Sequence, residues 1–568
     1  MADVAIGGAT LAPVRAKASH DDILMRLGLC VLLAWLIVVL ALPLWTLLSK
    51  SMEDSEGRFV GLANFATYFS TPSLFASVWN SFFVALAVTL IVMPMAFVYA
   101  YALTRSRMRL KWLFQGMALL PIFAPSLLPA ISFIYLFGNQ GLLKSLLAGG
   151  SIYGPAGIIA AQVFYCFPSA VMILATALAL ADARLYEAAD ALGATRRRIF
   201  FTITLPGAKY GAIGASFVVF TQVITDFGIA KVIGGKFNVL ATDVYKQVIG
   251  QQNFSMGAVV GIVLLAPAVL AFVVDRLVQR RQVALLSARA VPLEPKDQRL
   301  RDALLTVFCT IVALLIATII GVSVWGSLIK YWPYNPSWTL DNYAFGNFDS
   351  EGWNSFFNSI QMAFCAAIVG TVIVFLGAWL VEKTRGATAL RGVVQFLALL
   401  PMAVPGLVLG LGYIFFFNAR ANPLNFLYAT MAILVINTTA HFYTVAHVTA
   451  VTALKQIDPE FEAVSASLKV PYWRTLLRVT IPICVPAIID IAVFIFVNAM
   501  TTVSSVIFLY SSDTKLGSIA VVNMDEAGAT AAAAAMSVMI VLTSATVKAL
   551  HLVAERGLLG RLQAWRRR

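Results

Sequence analysis

Asp226, in "TQVITDFGIA", and Asp490, in "PAIIDIAVF", are carboxylates set in apolar runs. A carboxylate there is costly, so by default it marks an ion or substrate path or a proton relay. Hydroxyl and amide side chains accompany the pair: Thr221, Gln222 and Thr225 near the first, and Asn498, Thr501, Thr502, Ser504 and Ser505 beyond the second. Such groups serve equally well as hydrogen-bond glue between membrane helices. Metal chemistry is not indicated. The four histidines (His20, His441, His447, His551) are scattered, and His441 and His447, about 600° apart around a helix, share no face. Cys30, Cys166, Cys309, Cys365 and Cys484 form no CxxC pair and lie in or beside apolar segments, as small buried hydrophobes do. No GxxxxGK[ST] phosphate loop occurs; "IGGKF" at 233–237 is only a glycine pair before a lysine. Nucleotide hydrolysis is not expected of this chain.

The elements that must hold these groups are membrane helices. The chain is 60% hydrophobic and 12% charged, with a mean hydropathy of +0.85. Soluble domains are about 45–50% apolar and about 25% charged. Charge-free apolar runs of about 20 residues recur. They place spans near 27–49, 79–103, 113–137, 156–180, 211–232 and 256–275, then 303–328, 356–381, 394–418, 426–452, 486–508 and 530–552. The run Leu27 to Leu48 is too long for a signal-peptide core and lacks a cleavage site, so it reads as an uncleaved span. The net charge of +14 sits in short loops: "TRSRMRLK" at 104–111, the loop around Arg196, Arg197 and Arg198, the connector 276–301, and the tail "RLQAWRRR". Loops 50–78 and 329–355 instead balance or outnumber their bases with acids. Basic loops and both termini are therefore expected in the cytoplasm, and nucleic-acid binding is not.

The spans repeat. "NSFFVALAVTLIV" at Asn80 answers "NSIQMAFCAAIVG" at Asn358, and "ALLPIFAP" at Ala118 answers "ALLPMAVP" at Ala398, 278–280 residues apart. Six spans per half, an even number, implies a parallel repeat about an axis along the membrane normal. The expected fold is an all-α polytopic membrane protein of about twelve helices. Its organisation reads as an N-terminal segment 1–26, a first half 27–275, a linker 276–302, a second half 303–552 and a basic tail 553–568.

One polar loop also occurs twice. "DARLYEAADALG" begins with Asp182 as a helix N-cap and ends on Gly193, where a helix commonly stops with positive φ. A second helix begins at "TRRRIFF", with Pro206 expected to interrupt it before the next span. Taken alone, this reads as a surface helix snorkelling its arginines into lipid headgroups. The spacing Glu187-Ala188-Ala189, three residues, Gly193, nine residues, Ile203-x-Leu205-Pro206 resembles the signature of permease subunits of binding-protein-dependent ABC importers. The resemblance spans essentially the whole chain, as two fused permease halves. It implies a bacterial inner-membrane transport subunit without cofactor of its own. Its partners would be two cytoplasmic ATPase subunits, a periplasmic binding protein and membrane lipid. ATP would be bound by the partner chain, and Glu187, Ala188, Ala189 and Gly193 would dock on one ATPase. The second copy, "DPEFEAVSASLK", aligns without gaps 276 residues on. In that register Ala463 takes the place of Glu187, Glu462 stands one residue earlier, and Lys469 replaces Gly193. Glu462, Ala463, Val464 and Lys469 are the second docking candidates. A left-handed lysine costs roughly 1 kcal/mol relative to glycine; a reshaped turn with Pro471 starting the next helix is the alternative.

In the family resembled, the fifth and eleventh spans line the translocation pathway. That makes Thr221, Thr225, Asp226, Asp490, Asn498, Thr501 and Thr502 pathway candidates. The repeat offset pairs Asp226 with Thr502 and Asp490 with Gly214, so the two acids are not symmetry mates. Outer loops 231–255, with Lys231, Lys236 and Lys246, and 509–528 are candidates for touching the binding protein. "ATAAAAAMS" at 529–537 reads as close helix packing. The fused architecture, "TDFG" and the second-half run from Asp458 resemble putative 2-aminoethylphosphonate permeases; fused ferric-iron permeases share the architecture, and polyamine and thiamine permeases are more distant. A proton-coupled secondary transporter would also have two parallel halves, but it would need a relay that two separated carboxylates do not make. A membrane scaffold without transport would leave the paired loops without purpose. Because the second copy has moved its glutamate and lost its glycine, Glu187→Ala is expected to lower transport more than Glu462→Ala. Equal losses in a vesicle uptake assay would contradict this.

Overall fold

The computed structural model describes residues 20–283, 291, 293–295, 297–384, 386–555 and 557, with the backbone alone for 278–283. Most of the expected N-terminal segment and basic tail, and part of the linker, lie outside the described residues. Ten helices are long and apolar enough to cross a membrane: His20–Ser51, Pro72–Arg105, Pro155–Ala179, Arg196–Thr225, Phe254–Leu277, Arg299–Ser327, Trp353–Lys383, Met431–Lys455, Tyr472–Thr501 and Thr530–Ala554. Two bent pairs complete the set of twelve. Among the described residues the strands are confined to a hairpin, Ile329–Tyr331 with Asn335–Trp338, between the seventh and eighth spans.

The third and ninth spans, expected to be straight, are broken. Lys111–Phe123 and Leu127–Phe137 meet at 100°, and Thr388–Ala403 and Gly406–Phe417 at 114°. The repeated "LLPxxxP" motif is the cause. Its first proline, Pro121 or Pro401, enters a 3₁₀ turn, and its second, Pro125 or Pro405, stands at the bend. A proline lacks the N–H that would carry the helix on, and it holds the preceding residue extended; Ala124 and Val404 have ψ of 136° and 115°.

The fifth and eleventh spans differ from expectation in the opposite sense. Pro206 does not interrupt its helix. Arg196–Ile199 continues through the π-turn Phe200–Thr204 into Leu205–Thr225. Leu205 N–H bonds Phe200 O, five residues back. Widening the helix by one residue before the proline accommodates a ring that an α-register would drive against the preceding turn. Leu476–Thr480 does the same before Pro482, with Ile481 N–H bonding Leu476 O, and Ile37–Ala41 does it before Pro43. Both spans also end earlier than expected, at Thr225 and Thr501.

Within each half, the second, fourth and fifth spans pack together, and the sixth packs on the fifth. The first spans cross over. His20–Leu36 packs on Trp353–Lys383 and Thr388–Leu399, and Arg299–Ser327 packs on the second and third spans of the other half. Ser132 and Ser323 hydroxyls meet at 2.5 Å across this contact, and Ser132 Oγ donates to Ile319 O at 2.6 Å. Residues Ala532 to Ser537 are buried, as close packing requires. The halves interlock rather than abut.

The two bends are seated by exchanged small residues. Gly228, just after the fifth span, lies against Ser126 at the first bend. In the second half the glycine is at the bend, Gly406, and the serine follows the span, Ser504. A Cβ at Gly406 would stand 2.6 Å from Ser504 Oγ and 3.1 Å from the Ser505 nitrogen. Gly406→Ala is expected to destabilise the protein by about 1–3 kcal/mol through overpacking, read as a lowered melting temperature in detergent. Gly321→Ala, with open space around the added carbon, should leave it unchanged.

Candidate functional site

The two polar loops have one geometry. Asp182 caps the helix Ala183–Ala191, accepting the Arg184 N–H at 3.1 Å. The helix closes with Ala194 N–H on Ala189 O at 2.9 Å, Gly193 N–H on Asp190 O at 3.0 Å, and Gly193 at φ 70°. This is a Schellman closure. In the second loop Asp458 accepts the Glu460 N–H at 2.9 Å, and Val470 N–H and Lys469 N–H bond Ser465 O and Ala466 O at 2.9 and 3.1 Å. Lys469 takes φ 52°. The ungapped register therefore holds in space, and the lysine adopts the left-handed conformation despite its Cβ. Pro471 is the N-cap of the next helix rather than its first residue.

Their outward faces differ. Glu187, Ala188 and Gly193 are exposed and Ala189 half-buried, with Leu192 87% exposed at the tip. Ala463, Val464 and Lys469 are exposed, with Leu468 70% exposed. These are large apolar tips without cover among the described residues. Glu462 is turned aside. It is half-buried, and Lys383 Nζ lies 2.5 Å from its Oε1. Each loop is also held by the opposite half of the chain. Val291 O accepts the Ala183 N–H at 2.9 Å, and Arg196 Nη1 donates to Gln298 Oε1 at 2.9 Å. Asp21 Oδ2 accepts the Tyr472 N–H at 3.1 Å.

The C-terminal ends of the fifth and eleventh spans, far from the polar loops, meet at a cavity of about 310 Å³ between the halves. Six of the seven intramembrane candidates line it: Thr221, Thr225, Asp226, Asn498, Thr501 and Thr502. Asp490 does not. It stands 3.3 Å from His551 Nε2 and lines a separate hollow beside the second polar loop. Sequence reasoning missed His441, Tyr165 and the two bends, which also line the central cavity. The duplicated "LLPxxxP" was the available signal for the bends; nothing in the sequence places His441.

Asp226 has a structural task. Its Oδ2 accepts Gln162 Nε2 at 3.0 Å and the Ile229 N–H at 3.0 Å, capping the short helix Gly228–Ile233. The hydroxyl of its repeat mate Thr502 lies 3.0 Å from Ser505 Oγ, a side-chain pair in place of the cap. Thr225 and Thr501 donate to helix carbonyls, Thr221 O at 2.8 Å and Val497 O at 3.1 Å. Their protons are spent, so these side chains turn acceptor oxygens and methyl groups to the cavity. Among the described residues no lysine or arginine lines it. Among the described residues no cluster of three or more His, Cys, Asp or Glu could hold a metal.

On the far face from the polar loops, the outer-loop lysines mostly have partners inside the chain. Lys231 pairs with Glu526 of the other half and lies 4.6 Å above the Tyr245 ring. Lys246 Nζ donates to Asn238 Oδ1 at 2.5 Å, and buried Lys515 pairs with Asp349. Lys236 is exposed.

Comparison with known proteins bears on the chain as a whole. The family model described as binding-protein-dependent transport system inner membrane component matches residues 93–283 and again 374–559. The putative ferric transport system permease protein FbpB 1 of Haemophilus influenzae is 30% identical over 77% of this chain and 70% of that protein. The ferric transport system permease protein FbpB of Actinobacillus pleuropneumoniae is 28% identical over 82% of this chain and 69% of that protein. A thiamine transport system permease protein of Brucella suis is 25% identical over 69% and 70%. With the family pattern present twice and covering most of its length, the chain belongs to the binding-protein-dependent inner-membrane transport components, as a fused double permease.

Proposed function

We propose that this chain is the complete membrane path of an ATP-driven importer. It takes a small solute from a periplasmic binding protein and passes it between its halves to the cytoplasm. The observation that supports this most directly is the continuity of each polar loop with a span that ends at the central cavity. A cytoplasmic ATPase gripping the exposed tips around Leu192 and Leu468 would move rods whose far ends carry Thr225 and Thr501. Thr221, Thr225, Asp226, Asn498, Thr501 and Thr502 form the transit wall. Asp490 is left out of that wall and serves the lower part of the second half.

Ferric ion is the cargo favoured by the relatives above and by the wall's chemistry. Acceptor oxygens and one carboxylate, without lysine or arginine, suit a cation better than a phosphonate. 2-Aminoethylphosphonate, the cargo expected from the second-half sequence from Asp458 onward, is the competing reading. A wall this sparse in charge does little selecting in either case, which leaves the choice to the binding protein. The test is calorimetric titration of the cognate binding protein with ferric ion and with 2-aminoethylphosphonate, followed by ATP-dependent uptake in vesicles holding this chain and its ATPase. Tight ferric binding with ferric uptake is the expected result. Tight phosphonate binding would reverse the cargo assignment, and uptake independent of ATP would overturn the importer reading.

A further inference from the structure

Glu462 looks, in sequence, like a misplaced copy of the docking glutamate. In space it occupies another position. The ungapped register of the loops puts Glu462 where the first half has Tyr186. The register of the second spans, from Asn80 and Asn358, puts Lys383 where the first half has Arg105. Both basic residues are the last of their helices, Pro72–Arg105 and Trp353–Lys383. In the first half the Arg105 guanidinium lies 5.1 Å above the Tyr186 ring. In the second half Lys383 meets Glu462. Two separate alignments thus converge on one contact, built as a cation–π pair on one side and an ion pair on the other.

We propose that these pairs are latches tying each docking helix to the end of the second span of its own half, and that Glu462 is a positioning residue rather than an ATPase contact. The proposal rests on the importer reading above. The first latch is the more firmly seated. Arg105 is buried and its Nη2 donates to Leu178 O at 2.6 Å, while the Tyr186 hydroxyl sits 3.1 Å from Thr204 Oγ1 at the π-turn. Tyr186 therefore joins the second span, the fourth span, the docking helix and the fifth span at one point. The second latch is a single ion pair with side chains 15% and 29% exposed. A cation over an aromatic face keeps its attraction when the site is desolvated. A partly exposed ion pair is weaker and is screened by salt.

The geometry also explains the missing glutamate. A side chain at 463 points outward, 100° round the helix from 462, and there the chain has alanine. The second docking face thus offers Val464, Leu468 and Lys469 to the ATPase without a carboxylate at the place of Glu187. The two faces suit unlike grips, and Glu462 is engaged within the permease.

The test uses the full chain with its ATPase in proteoliposomes carrying the binding protein and its cargo. Glu462→Gln and Lys383→Met are each expected to lower transport per ATP hydrolysed about two- to fivefold, the range of a partly exposed ion pair, while the ATPase still co-purifies. The exchange K383E/E462K should restore most of the ratio, and the double neutral variant K383M/E462Q should be no worse than either single one. Loss of ATPase co-purification in Glu462→Gln, failure of the exchange to rescue, or an unchanged ratio in both single variants would each overturn the latch. Glu187→Ala serves as the control for direct docking. If the wild-type chain holds no ATPase at all, it is the importer reading that falls, and the two failures are told apart.

Discussion

A backbone crossing lipid must satisfy its own hydrogen bonds, and this requirement governs how force can travel through the protein. A continuous helix is the stiff connection that such a solvent permits. At Pro206 and Pro482 the chain needs both continuity and a residue unable to continue an α-register. The π-turns at Phe200–Thr204 and Leu476–Thr480 meet both demands. Each docking turn is thereby one rod with the span that reaches the cavity. At Pro125 and Pro405 the opposite solution appears: the helix stops, turns through roughly a right angle, and leaves its polar ends buried between the halves. The same residue type builds a transmission rod in one place and a cavity wall in the other. What differs is whether the preceding turn widens or the preceding residue becomes extended.

The duplication preserves positions while exchanging chemistry between them. Gly228 faces Ser126 in one half, and Ser504 faces Gly406 in the other. Gly214 lies against Asp275, a Cβ there standing 3.2 Å from its Oδ1, while the repeat mates are Asp490 and His551, joined at 3.3 Å. Arg105 with Tyr186 answers Lys383 with Glu462. At the first crossing the two residues are kept and exchanged between positions; at the other two the position is kept and the chemistry changes. Fusion into one chain removes any need for the halves to be interchangeable, so each crossing needs to be satisfied only once.

Much of this was legible in the sequence. Hydropathy located twelve spans, and the ungapped loop register put Lys469 in the position of Gly193 while leaving its turn open between a left-handed residue and a reshaped one. The breaks at Pro125 and Pro405 and the continuity through Pro206 were not legible, because proline chemistry permits both outcomes and the packing around it decides. The polar candidates divided for a similar reason. Thr221, Thr225, Asp226, Asn498, Thr501 and Thr502 share a cavity because the two spans end side by side. Asp490 is farther down its span, where it meets His551 of the sixth span of the same half and a hollow lined by the fourth span and the second polar loop. Hydropathy reports that a residue is in a helix and says nothing of which neighbour covers it. The latch was hidden for yet another reason: it appears only when two registers, one per helix, are applied together.

The crossing-over of the first spans gives these local asymmetries a wider reach. The first docking loop is bonded to Val291 and Gln298, which lead into the second half's first span; the second is bonded to Asp21, at the start of the first half's own. A displacement of either loop is therefore felt at once in both halves. Unequal grips need not produce unequal motion, because the interlocked first spans share the load. On the proposed reading, a permease built this way can tolerate one docking face with neither carboxylate nor glycine at the equivalent places, provided that face stays fixed to its own bundle. The second half meets that condition through the end of its eighth span, where Lys383 pairs with Glu462.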